Sequence, residues 1–190
     1  MKLKNFVVSS LVLAVSTFSA HAQTSNFSFG VTTVHLSEGF VSALGSLHVT
    51  PSPLGTSGLR DGAIDFPIIE GEFDPANLKA EIIHSGGLRL AAGGTTVDLR
   101  HFIIDTTGAK PVITGFVVLD GNVVGRLTLF DLQIKASDVG WESKSVLVLK
   151  NVGVTLDSGA AATLNSVFHI TALKGGLDIG VADLIGALTN

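Results

Sequence analysis

Apolar and polar residues alternate along most of the chain, in short segments that end at glycine-containing turns. The alternation is clearest in residues 95–105, 112–119, 123–134 and 146–156. A period of two residues puts every second side chain on a buried sheet face, and turns at this spacing are typical of sandwiches and barrels. The pattern therefore predicts an all-β, mostly antiparallel fold, arranged as a sandwich or a flattened barrel.

Two dipeptides mark tight hairpins between these segments. Gly93-Gly94 and Asp120-Gly121 supply residues that readily adopt positive φ, which two-residue hairpin turns require. In the strand that follows the second turn, the apolar residues change from odd to even positions. This change of parity predicts a β-bulge near Leu129.

Two segments interrupt the strand pattern and resemble each other. LSEGFVSALGSLHVT begins at position 36, and LDSGAAATLNSVFHIT begins at position 156. Each predicts a strand end, a short helix capped by Ser37 or Asp157, and a return strand through His48 or His169. We expect these helices at about 37–47 and 158–168. An internal pseudo-repeat and chance similarity both remain open as explanations.

The first residues have the composition of an export signal. Lys2 and Lys4 precede an apolar stretch, residues 6–18, that is too short to cross a bilayer as a helix. The sequence AHA at 20–22 then matches the small-x-small pattern that signal peptidase accepts. We expect a cleaved signal peptide at 1–22 and a single β-rich domain at 23–190, exported to the periplasm or secreted.

Composition excludes several classes of function. The net charge of −4 becomes two units more negative when Lys2 and Lys4 are removed, and no basic patch is present, so nucleic acid is not an expected partner. The chain has no cysteine, which excludes a thiol nucleophile and a thiolate metal site. No second apolar run approaches the length of a transmembrane helix.

The chain contains no motif of a known catalytic centre. The sequence DSGA at 157–160 resembles the loop of aspartic proteases, which need two carboxylates that share one proton. The matching position in the first segment is Ser37, so we interpret Asp157 as a helix cap. Neither a G-x-S-x-G motif nor a nucleotide-binding loop occurs. We therefore predict a protein without enzymatic activity.

The candidate ligand-binding residues are polar side chains on otherwise apolar strands, together with the single tryptophan. They are His84, Arg100, His101, Arg126 and Trp141. His84 and His101 lie on strands that could bring them together, and alternation puts His101 in the core or half-buried, but no metal-ligand spacing is present. Arg100 and Arg126 either line a pocket mouth or lie on an exposed face. Trp141 is either a lid over the core or a contact residue.

The central part of the chain resembles the HtaA domain, a family of exported bacterial domains that bind haem at the cell envelope. The shared features are FP at 66–67, FDP at 73–75, GGLR at 86–89 and GRL at 125–127. The resemblance implies a fold of two antiparallel sheets with two short helices. It also implies a haem-ligating tyrosine assisted by a histidine.

The residues that would hold haem in that family are missing here. The chain has no tyrosine, and it reads AAGG at 91–94, where the family places its histidine. We therefore expect no cofactor, with iron ligation by a histidine such as His84 or His101 as the alternative. The fold can be shared while the ligand differs.

Two functions are compatible with these features. The first is an exported, non-catalytic β-domain that binds a small, hydrophobic ligand at the cell envelope, for which the HtaA-like core and the high apolar content argue. The alternative is an envelope or surface structural or adhesion protein that acts through self-association. The expected partner is accordingly a small molecule, an envelope component or a second copy of the chain.

Overall fold

A computed structural model describes residues 24–189 of the chain. The expected signal peptide at 1–22 lies outside the described residues. Within the described range, antiparallel strands predominate and two helices are present, as predicted. Neither of these helices has the length and the apolar character that a membrane crossing requires.

Strands account for most of the described residues. They are β1 (Ser25–Leu36), β2 (Thr50–Leu54), β3 (Gly58–Arg60), β4 (Ala63–Asp74), β5 (Lys79–His84), β6 (Gly87–Ala92), β7 (Thr95–Asp105), β8 (Val112–Leu119), β9 (Asn122–Gln133), β10 (Val139–Ser143), β11 (Val146–Leu156) and β12 (Asp178–Thr189). The helices are α1 (Glu38–Ser46) and α2 (Ser158–Phe168), and Ala136–Asp138 forms one 3₁₀ turn.

Eight of these strands close into a barrel. They pair antiparallel in the order β1-β4-β5-β7-β8-β9-β11-β12, and β12 pairs with β1 to complete the ring. Two seams are short, because β5 pairs with β7 through three residues and β9 with β11 through four. In both sandwiches and barrels, buried and exposed side chains alternate along a strand, so the sequence pattern could not distinguish the two folds. The pairing of β7 with β8 makes this fold a barrel.

The remaining strands extend the two ends of the barrel. The helices α1 and α2 cover one end of the barrel, which we call the upper end. At this end β6 pairs with β7, β2 pairs with β6, and β3 pairs with β4. At the opposite, lower end, β10 pairs with β11. The lower end is bounded by the loops at 74–79, 105–112 and 133–139.

The predicted hairpins and bulge are confirmed. Gly93-Gly94 and Asp120-Gly121 have positive φ at both positions, as two-residue hairpin turns require. In β9, the register with β8 skips Leu129, which is the predicted bulge position. The bulge keeps apolar side chains of both parities directed into the barrel.

Both predicted helices are present with their predicted caps. Ser37 Oγ accepts a hydrogen bond of 3.1 Å from the backbone N–H of Phe40. Asp157 Oδ1 accepts from the N–H groups of Gly159 and Ala160 at 2.8 and 3.1 Å. The interpretation of Asp157 as a cap is therefore confirmed.

The predicted return strands through the two histidines are wrong. His48 and His169 have φ of 56° and 54°, a left-handed conformation that ends a helix and does not fit a strand. After α1, strand β2 begins only at Thr50, and after α2 the chain is irregular until β12. The sequence similarity thus reflects two helices with matching starts and matching ends.

The interior of the barrel is packed with apolar side chains from every barrel strand. The rings of Phe66 and Phe102 meet edge to face at a centroid distance of 5.2 Å. Gly30 allows β1 and β12 to pack closely, since a Cβ there would lie 2.5 Å from the carbonyl oxygen of Ile185. His84 is among the most completely buried side chains, at 2% exposure. A polar residue buried this deeply makes the barrel interior a candidate functional site.

Candidate functional site

The upper half of the barrel interior contains a cavity of about 80 Å³. It is lined in part by helix side chains, namely Phe40 and Leu44 of α1 and Leu164 and Phe168 of α2. For comparison, an apolar cavity of about 150 Å³ holds a molecule the size of benzene. The upper cavity is smaller than this, so a ligand could enter only if helix side chains moved.

His84 and Thr32 lie at mid-height in the barrel. Nε2 of His84 is 2.7 Å from Thr32 Oγ1, and Nδ1 is 3.3 Å from the carbonyl oxygen of Phe102. Because a carbonyl only accepts, we assign the proton to Nδ1, and Nε2 then accepts from the Thr32 hydroxyl. Burial lowers the pKa of His84 to about 4, so the ring is neutral at pH 7. Both ring nitrogens are satisfied, and an iron ion would have to displace one of these partners.

A second cavity, of about 230 Å³, occupies the lower half of the interior. Its walls are apolar side chains from strands all around the barrel, including Phe73, Ile82, Leu132, Leu147 and Leu184. This lower cavity is large enough for a small organic molecule. It extends to the loops at the lower end, where Leu78 and Pro111 line it.

The uncharged polar side chains in the lining of the lower cavity, Thr32, Asn77 and Thr106, are already hydrogen-bonded within the protein. Thr106 Oγ1 accepts a hydrogen bond of 2.7 Å from the backbone N–H of Ala80 and donates to the carbonyl oxygen of Leu78 at 3.3 Å. The wall therefore offers a ligand mainly apolar contact.

The mouth of the lower cavity combines apolar and basic side chains. Leu78 is 42% exposed at its rim. Lys79 is half-buried and its Nζ donates to the carbonyl oxygen of Gly108 at 2.9 Å, and Lys135 is exposed. Lys79 and Lys135 are the only charged residues that line the cavity within residues 24–189.

Trp141 lies on β10, beside the lower half of the barrel. Its ring centroid is 6.1 Å from that of Phe73, whose side chain forms part of the cavity wall. Trp141 is 48% exposed and pairs in register with Leu147. The tryptophan is thus a partly exposed neighbour of the lower cavity.

Three of the predicted site residues meet on the outer surface of the barrel. Arg100 of β7 and Arg126 of β9 both pair with Phe116 of β8, and the Arg126 guanidinium lies 4.5 Å from the Phe116 ring centroid. Arg126 Nη1 also donates to the carbonyl oxygen of His101 at 3.0 Å. This group lies outside the barrel wall and lines neither interior cavity.

The expectation that His101 faces the core beside Ile103 is wrong. The register of β7 with β8 shifts between Arg100 and Ile103, and His101 has φ of 50° and an exposed side chain. This bulge turns Phe102 inward in place of His101. His84 lies inside the barrel and His101 outside, so the two histidines do not approach each other.

The sequence reasoning missed a buried carboxylate on the outer face of β7. Asp98 is 4% exposed and accepts hydrogen bonds from Arg89 Nε and Nη2 at 2.6 and 2.9 Å and from Arg100. The Arg89 hydrogen bond is the main cause of a lowered pKa of Asp98. A signal was available, because a two-residue turn at 93–94 puts position 89 opposite position 98.

Comparisons with known proteins find similarity in structure but none in sequence. No family model and no curated protein matches the chain. The C-terminal domain of HtaA from Corynebacterium glutamicum superposes with a TM-score of 0.68 at 15% identity, covering 87% of this chain and 99% of that domain. A domain-swapped dimer of a histidine-to-alanine variant of that domain gives a TM-score of 0.56 at 17% identity, with 93% and 99% covered.

A third solved structure is the heme-binding protein HtaB from Corynebacterium glutamicum. It gives a TM-score of 0.47 at 11% identity, covering 88% of this chain and 95% of that one. At such identities the two HtaA superpositions show a common fold and no more. The chain therefore has the HtaA-like fold, and its strands form one closed sheet where the resemblance of the central segment implied two antiparallel sheets.

Proposed function

We propose that this protein is an exported, non-catalytic domain that binds one small hydrophobic molecule inside its barrel at the cell envelope. The lower cavity carries the proposal, since it is preformed, largely apolar and situated at a barrel end. An eight-stranded barrel is just wide enough to hold one small ligand. Because empty apolar space destabilises a fold, a ligand that fills this cavity would also stabilise the protein.

The HtaA-like fold supports ligand binding, because the family that the sequence resembles binds haem at the envelope. Haem itself is not the ligand that we propose. The chain has no tyrosine, both nitrogens of His84 are hydrogen-bonded, and His101 lies on the outer surface. A smaller hydrophobic molecule suits the size of the lower cavity better.

Native mass spectrometry of the protein exported by its own host tests the proposal. We expect an additional mass that disappears on denaturation, and a polypeptide mass that corresponds to a chain starting at Gln23. A polypeptide without bound mass, from gentle preparations and after incubation with an envelope lipid extract, would contradict ligand binding. A chain that retains residues 1–22 would contradict the cleavage.

A matched pair of variants assigns the bound mass to the lower cavity. Ala182 lines this cavity, whereas Ala187 on the same strand is directed outward. Ala182→Leu should abolish the additional mass, and Ala187→Leu should retain it. Retention by both variants would place the ligand elsewhere.

Self-association is a second candidate function, favoured by an apolar outer face. Phe29, Ile69 and Ile185 lie on the neighbouring strands β1, β4 and β12 and are 67%, 53% and 38% exposed. Apolar exposure of this kind is common at contact surfaces between proteins. The same spectra test it: a defined multimer without ligand, which Phe29→Ser dissociates, would favour this function over ligand binding.

A further inference from the structure

The two ends of the barrel interior differ in charge as well as in size. The upper cavity has no charged side chain in its lining, and His84 there is held neutral by burial. The lower cavity has Lys79 and Lys135 at its mouth and no carboxylate in its lining. An apolar cavity with a positive mouth is complementary to a molecule with an apolar chain and a negative end.

The carboxylates of the same loops are engaged in local turns. Asp74 accepts from the N–H of Ala76 and from Asn77 Nδ2. Asp105 accepts from the N–H and the hydroxyl of Thr107. These groups stabilise loop conformations and remain outside the cavity lining.

Asp138, in the third loop, likewise accepts from the backbone N–H of Lys135. No carboxylate in residues 24–189 forms an ion pair with the ammonium group of Lys79 or of Lys135. Lys79 uses one of its three donors on Gly108, which leaves two for a ligand. The positive charge at the mouth is therefore available.

We propose that the lower cavity binds an anionic amphiphile, with a single aliphatic chain among the apolar walls and a carboxylate-type head group at Lys79 and Lys135. This inference rests on the proposed function and narrows it to a ligand class. The lining contains no unsatisfied uncharged polar side chain, since Thr32, Asn77 and Thr106 are hydrogen-bonded within the protein, so hydrocarbon is the chemistry that fits inside. Charge-assisted hydrogen bonds at the mouth would then orient the molecule with its head outward.

Trp141 provides a direct signal for binding in this cavity. It is the single tryptophan of the chain, and its ring contacts Phe73 of the cavity wall. The delipidated protein is titrated with dodecanoate, dodecan-1-ol and dodecyltrimethylammonium, each below its micelle concentration, and tryptophan emission is recorded. We expect saturable binding of dodecanoate about tenfold tighter than that of the alcohol, with the cation weakest.

Paired variants test whether the lysines are responsible. Lys79→Gln combined with Lys135→Gln should weaken dodecanoate binding about tenfold and leave dodecan-1-ol binding unchanged. Lys174→Gln removes an exposed ammonium group at the upper end and is the matched control, with no change expected. Ala182→Leu should abolish binding of both molecules, because its side chain occupies the cavity.

The outcomes separate this inference from the proposed function. The inference of an anionic ligand is wrong if the alcohol binds as tightly as dodecanoate, or if the double lysine variant keeps full affinity for dodecanoate. The proposal of a hydrophobic ligand would remain in either case. If dodecanoate binding survives Ala182→Leu, the molecule binds elsewhere and the site assignment is wrong. If none of the three amphiphiles binds and native spectra also show no ligand, both proposals fail.

Discussion

The upper and lower ends of the barrel are built from the same strands but differ in what connects them. At the upper end, β1 continues into α1 and β11 into α2, and helix side chains such as Phe40 and Leu164 fill the interior. At the lower end, the loops at 74–79, 105–112 and 133–139 contain no α-helix, and Leu78, Pro111 and Ala136 of these loops line the lower cavity. The cavity is about 80 Å³ at one end and about 230 Å³ at the other.

This difference shows how a barrel of fixed width acquires a smaller cavity at one end and a larger cavity at the other. A short helix inserted between two strands carries large apolar side chains back over the barrel axis, whereas a turn of a few residues does not reach it. The two similar sequence segments supply this closure twice. The proposed ligand accordingly has more room in the lower half, while the packed helix side chains at the upper end contribute stability.

The largest expected effect comes from removing a side chain that closes the upper end. Phe40 is 7% exposed and lines the upper cavity, whereas Leu78 is 42% exposed at the lower mouth. Phe40→Ala should lower the free energy of unfolding by about 4 kcal/mol. Leu78→Ala should change it by less than about 0.5 kcal/mol. Urea unfolding measures both, and similar losses would contradict the division of roles between the two ends.

His84, at the boundary between the two halves, should make stability depend on pH. Its pKa is about 4 in the folded protein, because burial disfavours the charged ring, and about 6.5 in the unfolded chain. The unfolded chain therefore binds more protons between these values. The free energy of unfolding should be constant above about pH 6.5, fall by about 3 kcal/mol as the pH decreases to about 4, and level off below that.

The variant His84→Gln isolates this effect. It should remove the decrease between pH 6.5 and 4, whereas His35→Gln, at an exposed histidine, should leave it in place. Asp98, whose pKa Arg89 holds below its ordinary value, affects stability mainly below about pH 4, where the unfolded carboxyl is protonated. An unchanged pH profile in His84→Gln would show that another group is responsible.

A third comparison adds volume at each end. Ala161 of α2 is 2% exposed and lines neither the upper nor the lower cavity, whereas Ala182 lines the lower cavity. Ala161→Leu should lower the free energy of unfolding by about 1–3 kcal/mol through overpacking. Ala182→Leu places its new methyl groups in empty space and should change the free energy by less than about 1 kcal/mol. Equal destabilisation would mean that the lower half is as tightly filled as the upper half.

The hairpins, the bulge at Leu129 and the two helix caps were predictable because each depends on neighbouring residues alone. Asp120-Gly121 forms a turn because both residues adopt positive φ, and Asp157 caps the helix that follows it. The bulge of β7 was harder to see. Ile103 continues the alternation that predicts an inward His101. The only sequence signal for a bulge was the pair of consecutive polar residues, Arg100-His101, followed by the apolar Phe102.

The lower cavity itself could not be predicted from the sequence. Lys79 begins β5 and Lys135 lies in the connection between β9 and β10, and they line one cavity because the barrel closes through the pairing of β7 with β8. Arg126 and Trp141 were predicted as ligand-binding residues because they are polar or aromatic among apolar neighbours. The strand pattern alone does not show whether such a side chain faces the interior of a barrel or the solvent. Space left between side chains depends on the whole ring of strands.

The smallest expected effect concerns the caps of the two helices that close the upper end. Asp157 accepts two backbone N–H groups and Ser37 accepts one. Because Ser37 Oγ also donates to the carbonyl oxygen of Asp178, Asp157→Ala and Ser37→Ala should each lower the free energy of unfolding by about 1 kcal/mol. Asp157→Asn retains an accepting oxygen and should be almost neutral, whereas a loss comparable to that of the alanine variant would show that the carboxylate charge matters beyond capping. Urea unfolding resolves these differences. If both alanine variants are neutral, the packing of the helices against the barrel, and not their capping, keeps the upper end closed.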